Sequence, residues 1–164
     1  MNIPYLFPNR FKKIGWIIFI PSAILGFYIL KTGEVPDFFN ISVLAFIHES
    51  FIDTNASTVN NFFFKVIENN VLDEILLILS IIGALFIAFS KEKHEDEFIN
   101  KIRLNSLVWA TYVNYVILII STIFVYDMTY FWVMILNMLT ILVIFIVRFN
   151  WQLMKLKKEV SHEE

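Results

Sequence analysis

Leu104-Asn105-Ser106-Leu107-Val108-Trp109-Ala110-Thr111-Tyr112-Val113-Asn114-Tyr115-Val116-Ile117-Leu118-Ile119-Ile120-Ser121-Thr122-Ile123-Phe124-Val125 carries no charged side chain. At about twenty-two residues it is long enough to cross a bilayer as a helix. It also holds Asn105, Ser106, Thr111, Tyr112, Asn114, Tyr115, Ser121 and Thr122, more polar side chains than the other apolar segments of the chain. A polar yet uncharged span belongs at the centre of a helical bundle, where such groups find partners on neighbouring helices.

Immediately upstream, Glu92-Lys93-His94-Glu95-Asp96-Glu97 forms a charged run. Its acids suit a helix N-terminus, where the dipole is positive, and Lys93 with Glu97 and Glu97 with Lys101 have i,i+4 spacing. A divalent-cation site is the sharper reading, but Lys91 occupies the position where a Glu-x-x-His pair would need its glutamate. The run therefore reads as the solvated start of a long helix.

Downstream, Tyr126-Asp127-Met128-Thr129 leads to another apolar span at about 130–147, too short a link for anything but an antiparallel hairpin. Two further spans are read at about 14–30 and 72–89. In the first, Pro21 predicts a kink, and Ser22 with Gly26 predicts a close helix approach. In the second, Ser80, Ala84 and Ala88 recur every four residues beside Gly83 and predict a small, tightly packed face.

Between these two spans, residues 31–71 are acidic and patterned. Val59, Phe62, Phe63, Val66 and Ile67 have helical spacing, with Asn60, Asn61, Lys65, Glu68 and Asn69 opposite. This predicts an amphipathic helix from Thr58 to Asn69, and Phe38 to Ile52 reads as a second short helix. Within the latter, His48-Glu49 with Asp53 approaches a metal cluster. A zinc-protease pattern would need His where Ile52 stands, so a solvated edge is the plainer reading.

Composition narrows function mainly by exclusion. The chain is 58% hydrophobic and 17% aromatic, which suits a membrane protein. Its net charge of −2 offers no basic stripe for nucleic acid. With no cysteine, thiol exchange, thiolate metal sites and iron–sulfur clusters are excluded. His48, His94 and His162 lie outside the spans, which argues against a transmembrane haem. No cofactor is implied, and no catalytic motif can be assembled. The absence of Asp, Glu, Lys and Arg near mid-span disfavours an ion-coupled transporter.

Of the 13 basic residues, all but Lys31 and Lys65 flank one side of the spans. That asymmetry predicts both termini and the 90–103 loop in the cytoplasm, with 31–71 outside. The expected fold is an all-α, single-domain integral membrane four-helix bundle with an extracytoplasmic amphipathic helical segment between helices one and two.

The runs Asn69-Asn70-Val71-Leu72-Asp73-Glu74-Ile75-Leu76, Ala88-Phe89-Ser90-Lys91-Glu92-Lys93, Ile102-Arg103-Leu104-Asn105-Ser106-Leu107-Val108-Trp109 and Phe145-Ile146-Val147-Arg148-Phe149-Asn150 resemble a set of small, uncharacterised four-span bacterial inner-membrane proteins. The resemblance covers roughly the last two-thirds of the chain. Such proteins are often encoded beside a small helix-turn-helix regulator, which implies membrane-linked regulation.

Two sets of candidate residues follow. Thr111, Asn114 and Thr122 on the third span, with Asn137 and Thr140 on the fourth, read as an interhelical hydrogen-bonding interface or as the lining of a hydrated pathway. Lys91, Lys93, Lys101, Arg103 and Arg148 read as a face for a cytoplasmic partner or anionic lipid. The leading expectation is a non-enzymatic regulatory or interaction module embedded in the lipid bilayer, with a cytoplasmic regulatory protein as partner. A homo-oligomeric channel lined by helices three and four is the alternative, and a lipid-binding or lipid-modifying protein is the third.

Overall fold

The computed structural model describes residues 5–33, 35–48, 62–93 and 95–163. Among them are four α-helices: α1 (Arg10–Thr32), α2 (Leu72–Ala88), α3 (Glu97–Phe124) and α4 (Asp127–Glu163). Three segments are long and apolar enough to cross a membrane, namely Arg10–Thr32, Glu97–Phe124 and Thr129–Leu156. At 17 residues, α2 reaches only about 26 Å at the helical rise per residue. That falls short of the roughly 30 Å of a hydrocarbon core.

The segment between α1 and α2 overturns the predicted helices. Asn40–His48 forms a strand, β1, and Phe62–Asn70 a strand, β2, paired antiparallel with Asn40 opposite Asn70 and Leu44 opposite Val66. The expected helix at Thr58 to Asn69 is therefore strand from Phe62 onward, and Thr58 to Asn61 lie outside the described residues. The second expected helix, Phe38 to Ile52, is strand over Asn40–His48, with Glu49 to Ile52 outside the described residues. Phe62-Phe63-Phe64-Lys65-Val66-Ile67 is rich in aromatic and β-branched side chains, which fit a pleated ladder better than a helix surface. Asn70 ties the hairpin to the helices. Its amide donates to Asn40 Oδ1 and to the Pro36 carbonyl, both at 2.8 Å, and its own Oδ1 accepts the Leu72 amide at the start of α2.

Local chemistry sets the helix ends. Gly33 closes α1 in the left-handed region at φ 68°, its amide donating to the Ile29 carbonyl at 2.8 Å. Asp96 caps α3 by accepting the Ile99 amide at 2.8 Å. Glu92, Lys93, Glu95 and Asp96 of the charged run are thus non-helical, contrary to the expected helix start, and of the run's acids only Glu97 belongs to the first helical turn. The link from α3 to α4 is shorter than the sequence suggests, since only Val125 and Tyr126 are non-helical and Asp127 takes φ 58°. Asp is among the few side chains that tolerate that region.

Small residues join α1 to α2. A Cβ on Gly15 would lie 2.8 Å from the Gly83 carbonyl oxygen, and one on Gly83 would lie 2.8 Å from the Phe19 nitrogen, so the two backbones touch. Ser80, Ala84 and Ala88 are buried on that helix, as their spacing predicts. Ser80 donates to Ser22 across the seam at 3.0 Å, and Ser22 donates onward to the Ile18 carbonyl at 2.8 Å. Gly26 faces open space, so the predicted Ser22–Gly26 pair contributes only its serine.

α2 packs on α1 and on α4, while α4 packs on α3. The buried core lies toward one end, where Ala84, Ile87 and Ala88 meet Ile99, Phe145, Phe149 and Leu153. Phe89, Phe145 and Phe149 stack successively at 5.8 and 5.7 Å, and the Arg103 guanidinium lies 5.0 Å from the last ring. Large apolar side chains elsewhere on α1, α3 and α4 face outward, among them Ile17, Phe27, Tyr112, Ile119 and Phe124. A soluble monomer does not tolerate so wide an exposed apolar surface, whereas a helix in lipid requires one.

Candidate functional site

The N-terminal stretch, the α2–α3 connection and α4 around Asn150 to Leu153 meet at one end of the core. Phe7 runs beside the end of α2, its amide donating to the Phe89 carbonyl at 2.9 Å and its carbonyl accepting the Lys91 amide at 2.8 Å. The Asn9 amide donates to the Lys91 carbonyl at 2.7 Å instead of capping α1. Lys12 bridges Glu92 and the Asn150 side chain, so α1, the connection and α4 share one cation.

A second brace centres on Arg103, which is only 4% exposed. It forks onto Glu95 at 2.7 and 3.3 Å, and it also donates to the Ser90 carbonyl at 3.3 Å. Two-pronged guanidinium–carboxylate pairing of this kind fixes orientation as well as charge. Nearby, Ser106 donates to Gln152 at 2.9 Å and joins α3 to α4.

The five cations read as one face divide accordingly. Lys91, Lys93 and Lys101 are exposed, Arg103 is turned inward as a brace, and Arg148 is half-buried. Lys93 also borders a recess of about 420 Å³ lined by Asn9, Lys12, Lys13, Trp16, Glu92, Ile99 and Leu153. Sequence reasoning assigned no site role to Lys12, Asn150 or Gln152, and it read Glu92 and Glu95 as the solvated start of a helix, not as partners of Lys12 and Arg103. The available signal was that Glu92 and Glu95 are acids on the strongly basic side of the chain, where each can find a cation.

Of the polar residues of the third and fourth spans, Asn114 meets Asn137 and Thr122 meets Tyr130 across α3 and α4, whereas Tyr112 and Tyr115 face outward. Asn114 is buried, and its side-chain oxygen accepts from the Asn137 amide at 3.3 Å. Thr111, Thr122 and Thr140 each donate to the carbonyl four residues earlier, at 2.9, 2.8 and 2.9 Å. Thr122 additionally meets the Tyr130 hydroxyl of α4 at 3.0 Å. Hydroxyls satisfied within their own helix need no water or ligand in an apolar medium.

Beside this seam runs an apolar groove of about 350 Å³ lined by Trp109, Val113, Ile117, Val143, Ile144 and Val147. Arg148 closes one end, its guanidinium 4.6 Å from the Trp109 ring and 5.3 Å from the Trp151 ring. Of the weighed metal candidates, His48 ends β1, whereas Glu49, Asp53 and His94 lie outside the described residues. Glu92 and Glu95 each face a cation of the protein. Comparison of the chain with protein families, with curated proteins and with solved structures yields no match.

Proposed function

We propose that the chain is a four-span protein of the bacterial inner membrane, of the kind its sequence resembles, with both termini and the α2–α3 connection in the cytoplasm. It acts without catalysis, as a regulatory interaction module whose charged cytoplasmic end receives a partner protein. α2 is the fourth span. Its short length is accommodated between α1 and α4, with local thinning of the bilayer at modest cost.

The observation that carries this reading is the braced α2–α3 connection. Lys12–Glu92 and Arg103–Glu95 hold it folded while Lys91 and Lys93 point outward. A charged segment already held in place loses little conformational freedom on binding, which favours a specific partner over diffuse attraction. Lys101 extends the same positive display on the first turns of α3. A channel lined by α3 and α4 has weaker support, because Thr111, Thr122 and Thr140 spend their hydroxyl protons on their own helices.

A photo-crosslinking residue at Lys93, activated in intact membranes, tests the reading. A discrete adduct with another protein is expected, and it should vanish when Lys91 and Lys101 are changed to Glu. If only lipid adducts and self-adducts form, the module has no partner at this end and the reading fails.

A further inference from the structure

Arg148 is a half-buried cation. Arg103 is neutralised by Glu95, but among the described residues no carboxylate pairs with Arg148. Its Nε, like that of Arg103, is buried without a hydrogen-bond partner, but where the terminal nitrogens of Arg103 meet Glu95, Arg148 has among the described residues only ring contacts, which satisfy the guanidinium face and not its N–H edge. A planar cation with an unspent N–H fork matches a phosphate.

Depth and shape agree with that chemistry. Counting back along α4 from Arg148 to Asp127 gives about 31 Å at the helical rise, close to the thickness of a hydrocarbon core. The guanidinium therefore sits at the level of lipid headgroups when Asp127 lies at the opposite boundary. Trp109 and Trp151 flank it at the depth where amphipathic rings concentrate. From there the groove runs along α3 from Trp109 to Ile117, about 12 Å toward the membrane interior. Its wall is almost wholly apolar. A free anion would leave that wall empty, and a fatty chain without an anionic head would leave Arg148 unpaired.

We propose that the α3–α4 groove is a site for one anionic phospholipid. Its phosphate sits on Arg148 between Trp109 and Trp151, and one acyl chain lies against Val113, Ile117, Val143 and Val147. This inference rests on the membrane placement in the functional reading above, and it is independent of whether Lys93 meets a partner. The crosslinking and lipid experiments therefore fail separately.

Native mass spectrometry of the full chain in mild detergent, with phosphatidylglycerol and phosphatidylcholine of identical chains added in equal amounts, tests it. The wild type should retain one phosphatidylglycerol in preference to phosphatidylcholine. R148A should lower that retention about five- to tenfold, the effect of one well-placed cation near a membrane surface. K155A removes the same charge from an exposed site on α4 and should change nothing. V143W fills the groove while leaving Arg148 in place and should also lose the lipid, which decides the matter if R148A does not fold. Equal retention of the two lipids, an unchanged V143W, or equal losses in R148A and K155A would overturn the proposal. So would a lipid-free dimer that buries the groove, which would assign it to a second copy of the chain.

Discussion

Arg103 and Arg148 stand at about the same height in the α3–α4 hairpin and solve the same electrostatic problem differently. Arg103 is enclosed with Glu95, so removing it strands a partly buried carboxylate. Arg103→Ala should destabilise the protein by about 3 kcal/mol, read as a lower melting temperature in detergent. The paired change Arg103→Met with Glu95→Gln should cost clearly less than the sum of its two single changes, because it leaves no stranded charge. Asn114 is a smaller effect of the same kind. Asn114→Ala should cost about 1 kcal/mol or less, as cross-helix hydrogen bonds in membranes generally do, and a double-mutant cycle with Asn137→Ala should place most of that loss in the Asn114–Asn137 bond. At this scale the sequence was legible in chemistry and blind in direction. The residue types of the seam were readable, but the inward turn of Arg103 depends on Glu95 and Phe149 arriving from other segments, which no local pattern encodes.

Among the elements, the α1–α2 seam makes the sharpest comparison. Gly83→Ala would press a methyl group into the backbone of Phe19 and should cost about 1–3 kcal/mol as the helices separate. Gly26→Ala, further along α1 and off the seam, meets open space and should be neutral or stabilise by up to about 1 kcal/mol. Thermal melts of both variants would check the contrast, and an indifferent Gly83→Ala would refute the close approach. The three long helices and the small face of α2 were readable because apolar length and four-residue recurrence are local. The hairpin was not. Phe62, Phe63, Val66 and Ile67 satisfy helical spacing, yet they are equally at home in a strand, and the decision rests on pairing with Asn40–His48 more than a dozen residues away in the chain. Periodicity alone cannot see that partner.

For the whole molecule, orientation in the membrane is directly readable by chemical labelling. The chain has no cysteine, so single cysteines can be introduced without background. Leu44→Cys in β1 should react with a membrane-impermeant maleimide added to intact cells, whereas Lys93→Cys should react only after lysis. The reverse pattern would invert the topology, and reaction of both from one side would show that α2 does not span. α4 adds a mechanical consequence. It is 37 residues long, about 55 Å, and contains neither glycine nor proline, whereas α1 contains Pro21. Since kinks concentrate at such residues, α4 behaves as a stiff rod, and the Asn114–Asn137 and Ser106–Gln152 bonds clamp α3 alongside it. A displacement of the Asp127 end would therefore be carried along α4 as far as Asn150, whose side chain shares Lys12 with Glu92.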